Sequence, residues 1–464
     1  MTVAAGQDRE EQAATTPVGT PLRFLLANGT AAVAIKGTAL LLSYSFLILF
    51  ARNVSEAEYG RYAFAVSLCV LLSIVATLGQ STAILRFWSQ FLSQNDPARA
   101  KGVLWLGYRA VLIGTAVVIA TGGLIVATLD LFYPELPTGY LYAGLFLILP
   151  STIASYQASA MRALGYVTRA LVPTEILHRG SLPLLVLAFL LSGAAPSAAE
   201  ILCISGLLWI LFLIPQGLRL LRHVEQQLPD VEASLDLPGW RSASLGLWAL
   251  AVLGIMSQSS DVIVLGLLLT PEATAGYFVA LKLAFLFFVL STTVNILTGP
   301  MISRAYHAGN LQDLQSICHA VCSLLLLPCL AAFLVFLFAG DLVLGLFGAG
   351  YAKAELLVAV LSFGAMVHVL TGPTYSLLVM TGSERKFLQI LAVTRVAMVV
   401  LQFALIPLLG PLGAALGNAI GQIALALWAR RAALRAIGVE PSVLCLLSAG
   451  AKARSSGSLG SQES

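Results

Sequence analysis

Seven charged residues interrupt stretches of this chain that are otherwise apolar. Lys36, Arg109, Arg179, Lys282 and Arg395 are basic, and Glu175 and Asp261 are acidic. A charge near the centre of a bilayer costs about 2.5–3.5 kcal/mol on insertion scales, so residues of this kind are retained for a reason. The set is net positive. Fixed cations in a low-dielectric region offset the desolvation of a passing anion such as a phosphate. Weak sites at several depths would let that anion enter and leave. Lys36 lies seven residues into its apolar run (29–50), about 10 Å at 1.5 Å per residue. Lys282 lies eight residues into another run (274–299) that is entered from the opposite face. These two are the first candidates for a cationic, substrate-binding cleft, with Arg179, Arg395 and Arg109 behind them.

Each candidate has a plainer alternative. Lys36 and Arg109 are long enough to snorkel to the nearer surface. Glu175 and Arg179 have i,i+4 spacing and suit a local ion pair, with His178 beside them. Asp261 and Lys282 sit at similar depths on adjacent runs and suit mutual neutralisation. Arg395 follows Arg179 by 216 residues and has no acidic residue within four positions. Asp261, Glu175, His178 and His368 are the intramembrane groups able to carry a proton, which makes the first three candidate coupling or ion-pair residues. Other chemistries find no motif. GxxxxGK[ST], HExxH and the nucleophile elbow are missing. The six cysteines show no CxxC spacing. No catalytic residue, metal, cofactor or nucleic-acid partner is expected, and the chain reads as a non-enzyme.

The elements that must position these charges follow from composition. Of 464 residues, 58% are hydrophobic and 10% charged, with mean hydropathy +0.90, against about 25% charged in soluble domains. The chain belongs in a lipid bilayer. Crossing the hydrocarbon core takes about 20 apolar residues, and twelve such runs are predicted: 29–50, 60–80, 102–129, 139–161, 170–192, 197–218, 243–269, 274–299, 316–338, 354–380, 387–409 and 412–434. The termini and the even-numbered loops hold 18 of the 26 Lys and Arg residues, and the odd-numbered loops hold 3. That asymmetry predicts that both termini lie in the cytoplasm.

The stretches VSEAEYGRYAFA (54–65) and TPEATAGYFVAL (270–281) say nearly the same thing twice, with Glu56 and Glu272, and Gly60 and Gly276, both 216 residues apart. ALGYVTRA (163–170) matches MTGSERKF (380–387) at an offset of 217, Gly193 matches Gly410, and QNDPAR (94–99) pairs with GNLQDL (309–314) after a slip. Two copies of one six-span unit are therefore expected. An even number of spans gives both copies the same orientation and relates them by an axis along the membrane normal. The predicted units are a disordered start (1–23), an N-lobe (24–222), a cytoplasmic linker (223–240), a C-lobe (241–437) and a cytoplasmic tail (438–464) that ends in a disordered stretch, 451–464. Paired lobes enclosing a cleft suit alternating access. Gly60 and Gly276 are expected to serve backbone freedom at a turn, and Glu56 and Glu272 to cap the helices they open.

LILFARNVSEAEYGRYAFA (47–65) and SDVIVLGLLLTPEATAGYFVALKLA (260–284) resemble the signature of the polysaccharide biosynthesis, or Wzx-type oligosaccharide flippase, family: an aspartate, an apolar run, a glycine-rich turn and G-x-[YF]. LFGAGYAKAELLVAVLS (346–362) and LGQSTAILRF (78–87) are similar to further family segments. The resemblance covers about residues 24–437 and extends to the lipid II flippases and multidrug/cation antiporters of the same superfamily. It implies an all-α polytopic membrane protein of twelve transmembrane helices, two six-helix lobes in a V lined by spans 1, 2, 7 and 8. It implies the flipping of an undecaprenyl-pyrophosphate-linked oligosaccharide across a bacterial cytoplasmic membrane, beside a polysaccharide polymerase or co-polymerase. A small-molecule/cation antiporter of the same architecture and a membrane-embedded glycosyltransferase or scaffold are the alternatives. The antiporter would depend on a carboxylate, Asp261; the flippase would depend on Lys36 and Lys282.

Overall fold

The computed structural model describes residues 21–446, which fold into helices joined by short turns. Most of the predicted disordered start, and the tail stretch 451–464, lie outside the described residues. The N-lobe comprises α1 (Pro21–Asn53), α2 (Glu56–Ala76), α3 (Gln80–Ser93), α4 (Pro97–Phe132), α5 (Gly139–Ala163), α6 (Val167–Leu171), a π-helical turn (Val172–Leu177), α7 (His178–Leu191) and α8 (Ala198–Gln227). The C-lobe comprises α9 (Trp240–Leu268), α10 (Pro271–His307), α11 (Leu311–Phe338), α12 (Gly340–Gly345), α13 (Glu355–Leu370), α14 (Thr374–Met380), α15 (Glu384–Leu409) and α16 (Pro411–Ile437). Twelve helical segments among the described residues are long and apolar enough to cross a membrane. Their loops divide between a basic end, which holds the α8–α9 linker, and a far end.

Local sequence explains the breaks. Span 2 bends where Leu78 and Gly79 take positive φ, 47° and 76°, between α2 and α3. The predicted run 354–380 is two helices, because Pro373 lacks an N–H and Gly372 turns at φ 72°. In span 5, Pro173 opens the π turn and the His178 N–H reaches back five residues to its carbonyl. Such turns are frequent at functional sites. Here it sets the helical phase of Arg179, two residues beyond its end.

Backbone geometry carries the duplication. Gly165 and Gly382 both have positive φ (90° and 80°), as do Gly193 and Gly410 (76° and 59°). The slipped loop aligns one residue differently from the expected register. Asn95 and Gly309 share the left-handed conformation, and Asp96 and Asn310 cap the helices that follow.

The lobes meet most closely at the far end, where α2 packs along α9 and α10. A Cβ on Gly60 would lie 1.8 Å from the Pro271 carbonyl oxygen. The glycine therefore serves close approach of the two lobes within a regular helix, which corrects the expected role in turn flexibility. Capping also differs from expectation. The hydroxyls of Ser55 and Thr270 accept from the Glu58 and Ala273 amides at 3.2 and 3.4 Å, while Glu56 approaches Gly350 of the C-lobe. Aromatic rings complete the seal. Tyr59 meets Phe278 at 5.9 Å and Tyr351 at 5.8 Å, and stands against Phe50 and Tyr62 in its own lobe. Such pairs contribute about 0.5–1.5 kcal/mol each beyond area burial.

Toward the basic end, α2 and α3 still touch α9, and the Trp248 indole donates to the Val75 carbonyl at 3.0 Å. The linker hugs the N-lobe: the Ser234 amide donates to the Ala98 carbonyl at 2.9 Å, and Arg99 pairs with Asp236 at 3.6 Å. Helix α1 behaves differently. It packs on α7 and the π turn and barely touches α2, and Lys36, Gly37, Thr38 and Leu41 along it are exposed.

Candidate functional site

Where α1, α7 and α10 converge, the two lobes exchange polar contacts. The Tyr44 hydroxyl donates to the Lys282 backbone carbonyl at 2.5 Å. One residue earlier, the Ser43 hydroxyl accepts from Arg179 at 2.8 Å and donates to the Ala39 carbonyl. Arg179 also pairs with Glu175 at 3.0 Å, as the i,i+4 spacing predicts, yet stays 41% exposed at its side chain. The Lys282 ammonium lies 4.8 Å from the centre of the Phe278 ring, a cation–π contact of about 0.5–2 kcal/mol. It has no carboxylate partner among the described residues.

Lys282 faces a cavity of about 160 Å³ between α9, α10, α13 and α16. Ser257, Gln258, Thr292, Asn418 and Gln422 supply its polar lining, with Phe285 and Phe288 among the apolar walls. Lys282 is the one charged residue on that wall among the described residues. A water occupies about 30 Å³ of liquid, so the space admits a group of phosphate size and not a whole lipid.

Lys36 is exposed on α1. Seven residues separate it from Ser43, close to two turns, which puts both on one face of the helix. It stands about 10 Å from Ser43 toward the basic end. Arg179 thus binds the α1 face that also carries Lys36, and Lys282 lies on α10 where Tyr44 of α1 touches its backbone. Arg109 is not brought to them. It is exposed on α4 together with Trp105, Leu112, Ile113 and Val117, an apolar face suited to snorkelling.

Asp261 is fully buried in the C-lobe, away from Lys282. The expected neutralising pair does not form among the described residues. Neutral donors from four helices surround the carboxylate instead: Tyr277 at 2.7 Å, Gln402 at 2.6 Å, Ser260 at 3.2 Å, and Asn418. Arg395, 4% exposed, stands behind the cavity wall. It donates to Gln422 at 3.4 Å. Its Nε has no hydrogen-bond partner. The duplicated arginines have therefore diverged, one onto the lobe boundary and one into the C-lobe. His178 stacks on Trp209 at 4.0 Å and meets the Ser205 hydroxyl at 3.0 Å, which accounts for it as a packed core residue.

Sequence reasoning missed the uncharged half of this site: Ser43, Tyr44, Gln258, Gln402, Asn418 and Gln422. A signal was present, since Gln and Asn inside apolar runs need hydrogen-bond partners in a membrane.

No family model and no curated protein matches the chain. Solved structures do. An inward-facing multidrug resistance MATE family transporter of the MOP superfamily aligns over 86% of this chain and 94% of its own, with TM-score 0.67 and 16% identity. The lipid II flippase MurJ in an inward closed conformation aligns over 86% of each chain, with TM-score 0.61 and 12% identity. This chain has their fold. An outward-facing MATE transporter also matches, at TM-score 0.57 and 16% identity over 86% of this chain. At these identities the likeness shows architecture: an all-α, twelve-span membrane protein built on the two-lobed MATE/MurJ plan.

Proposed function

We propose that this chain is a transporter that flips a phosphate-bearing lipid, an undecaprenyl-pyrophosphate-linked oligosaccharide, to the far leaflet by alternating access. The observation that carries this reading is the C-lobe cavity whose one charged wall residue among the described residues is Lys282, with Arg179 on α7 and Lys36 on α1 along the adjoining lobe boundary. A cation left without a carboxylate in a low-dielectric site is costly. An entering phosphate offsets that cost, and a cationic drug would raise it. The pyrophosphate sits against the cations, while the prenyl chain stays in lipid. The basic end faces the cytoplasm of a bacterium, and a polysaccharide polymerase or co-polymerase takes the product on the other side. Lobes that meet most closely at the far end, with a loosely held α1 as the way in, correspond to the loading state.

A second reading, a small-molecule/cation antiporter, has one observation in its favour: Asp261, a buried carboxylate held only by neutral donors, suits a proton carrier. In our reading this carboxylate anchors four C-lobe helices, while Glu175 and His178 hold α7 in place. A cell-envelope assay separates the two. Charge reversal at Lys36 and Lys282 should abolish surface polysaccharide in a strain dependent on this chain, with Asp261→Asn less damaging. Normal polysaccharide from the double reversal, or the opposite ranking, removes the flippase reading.

A further inference from the structure

We propose that the basic end of α15 and α16 holds the headgroup of an anionic phospholipid from the surrounding leaflet, at a site separate from the transport route. A surface cavity of about 400 Å³ lies between these helices, lined by Lys386, Ala424, Leu427, Trp428, Arg431, Ala432 and Arg435. Its two ends differ. Ala424, Leu427 and Trp428 form the part nearer the membrane centre, and Leu427 and Trp428 are exposed at 43% and 46%. Lys386, Arg431 and Arg435 form the part at the end of the span and are exposed. An apolar wall topped by cations matches a lipid, with acyl chain below and phosphodiester above. Tryptophan is enriched at that interface.

Local charge leaves the site available. Among the described residues none of its three cations forms an ion pair, and the two helices carry one acidic residue, Glu384, at the first turn of α15. The neighbouring Arg430 points elsewhere, bonded to Glu440 at 2.8 Å and 2.5 Å. The duplicated lobe supplies an internal control. Arg169 corresponds to Lys386 at the 217 offset, yet it is spent on His223 at 2.9 Å and on the Tyr166 ring. At the same offset, which Gly193 and Gly410 also share, the positions matching Arg431 and Arg435 are Ile214 and Leu218. Orientation by the positive-inside rule asks only for cations at this end. It does not ask three of them to converge on one cavity in one lobe.

The test uses the full chain purified into phosphatidylcholine nanodiscs with phosphatidylglycerol added in steps. Retained lipid is counted by native mass spectrometry, and melting is followed in parallel. Wild type should retain phosphatidylglycerol in preference to phosphatidylcholine and melt higher with it, while inorganic phosphate alone does neither. The triple variant Lys386→Gln, Arg431→Gln, Arg435→Gln should lose about fivefold in affinity per cation removed. A control that removes equal charge elsewhere, Arg219→Gln, Arg222→Gln and Arg304→Gln, should bind as wild type. Arg431→Gln alone gives the same comparison should the triple variant fold poorly. Equal loss in both triple variants, no lipid preference in wild type, or full stabilisation by inorganic phosphate would overturn the proposal.

Discussion

Lys282 and Asp261 show how differently two charges of one lobe can be used. Lys282 faces the cavity with an aromatic ring as its neighbour, and Asp261 is enclosed by donors. Removing the carboxylate should therefore injure the fold. Asp261→Ala strands the buried donors of Tyr277, Gln402 and Asn418, at about 1–3 kcal/mol each. Thermal melting should fall sharply for that variant and only slightly for Asp261→Asn, whose amide keeps an acceptor in place. Lys282→Gln should leave melting near wild type or raise it, because it relieves an uncompensated charge, while transport is lost. The charged members of the site stood out in the sequence because each broke an apolar run. Their partners did not, since a run containing Gln402 or Asn418 still reads as apolar and a contact 141 residues distant has no local signal.

Helix α2 owes its lobe-to-lobe contact to Gly60. Replacing Gly60 with Val puts side-chain atoms where the Pro271 carbonyl lies, so the far end should splay. Spin labels at Arg52 and Lys353, both exposed, would report a longer distance in Gly60→Val than in the parent, and an unchanged distance would refute the close-packing role. The repeat pointed to this glycine and misassigned its reason, because proximity of two segments 216 residues apart cannot be read from either one alone. The segment that follows α16 is fixed in place as well. Residues 438–446 dock into the α13–α14 break, where the Val443 amide donates to the Leu370 carbonyl at 2.9 Å and Glu440 exchanges two 3.0 Å bonds with Gln315. Burial pushes the Glu440 carboxyl up, and hydrogen bonds from Arg430 and Ser442 more than reverse this, holding it below its ordinary value. Its contribution is then complete above the unfolded value of about 4.3 and is lost as pH falls through the folded one. Proteolysis of this segment should start on acidification, and Glu440→Gln should make cleavage independent of pH.

Across the whole molecule, hydropathy and duplication sufficed for twelve spans in two lobes, because the membrane demands apolar helices of a set length. Helix breaks and the π turn escaped that reading, since proline and glycine inside a span permit several outcomes. Conformation was likewise out of reach: two lobes that rock apart share one sequence. The structure holds them together most closely at the far end and leaves α1 loosely packed, with a cavity carrying Lys282 inside the C-lobe. That cavity is the centre of the functional account. Its most direct test is reconstitution in liposomes of wild type and Lys282→Gln, each given a fluorescent prenyl-pyrophosphate-linked oligosaccharide or a cationic dye. Wild type should move the pyrophosphate lipid and not the dye, and Lys282→Gln should move neither. Dye movement by wild type that survives Lys282→Gln and vanishes in Asp261→Asn would contradict the account.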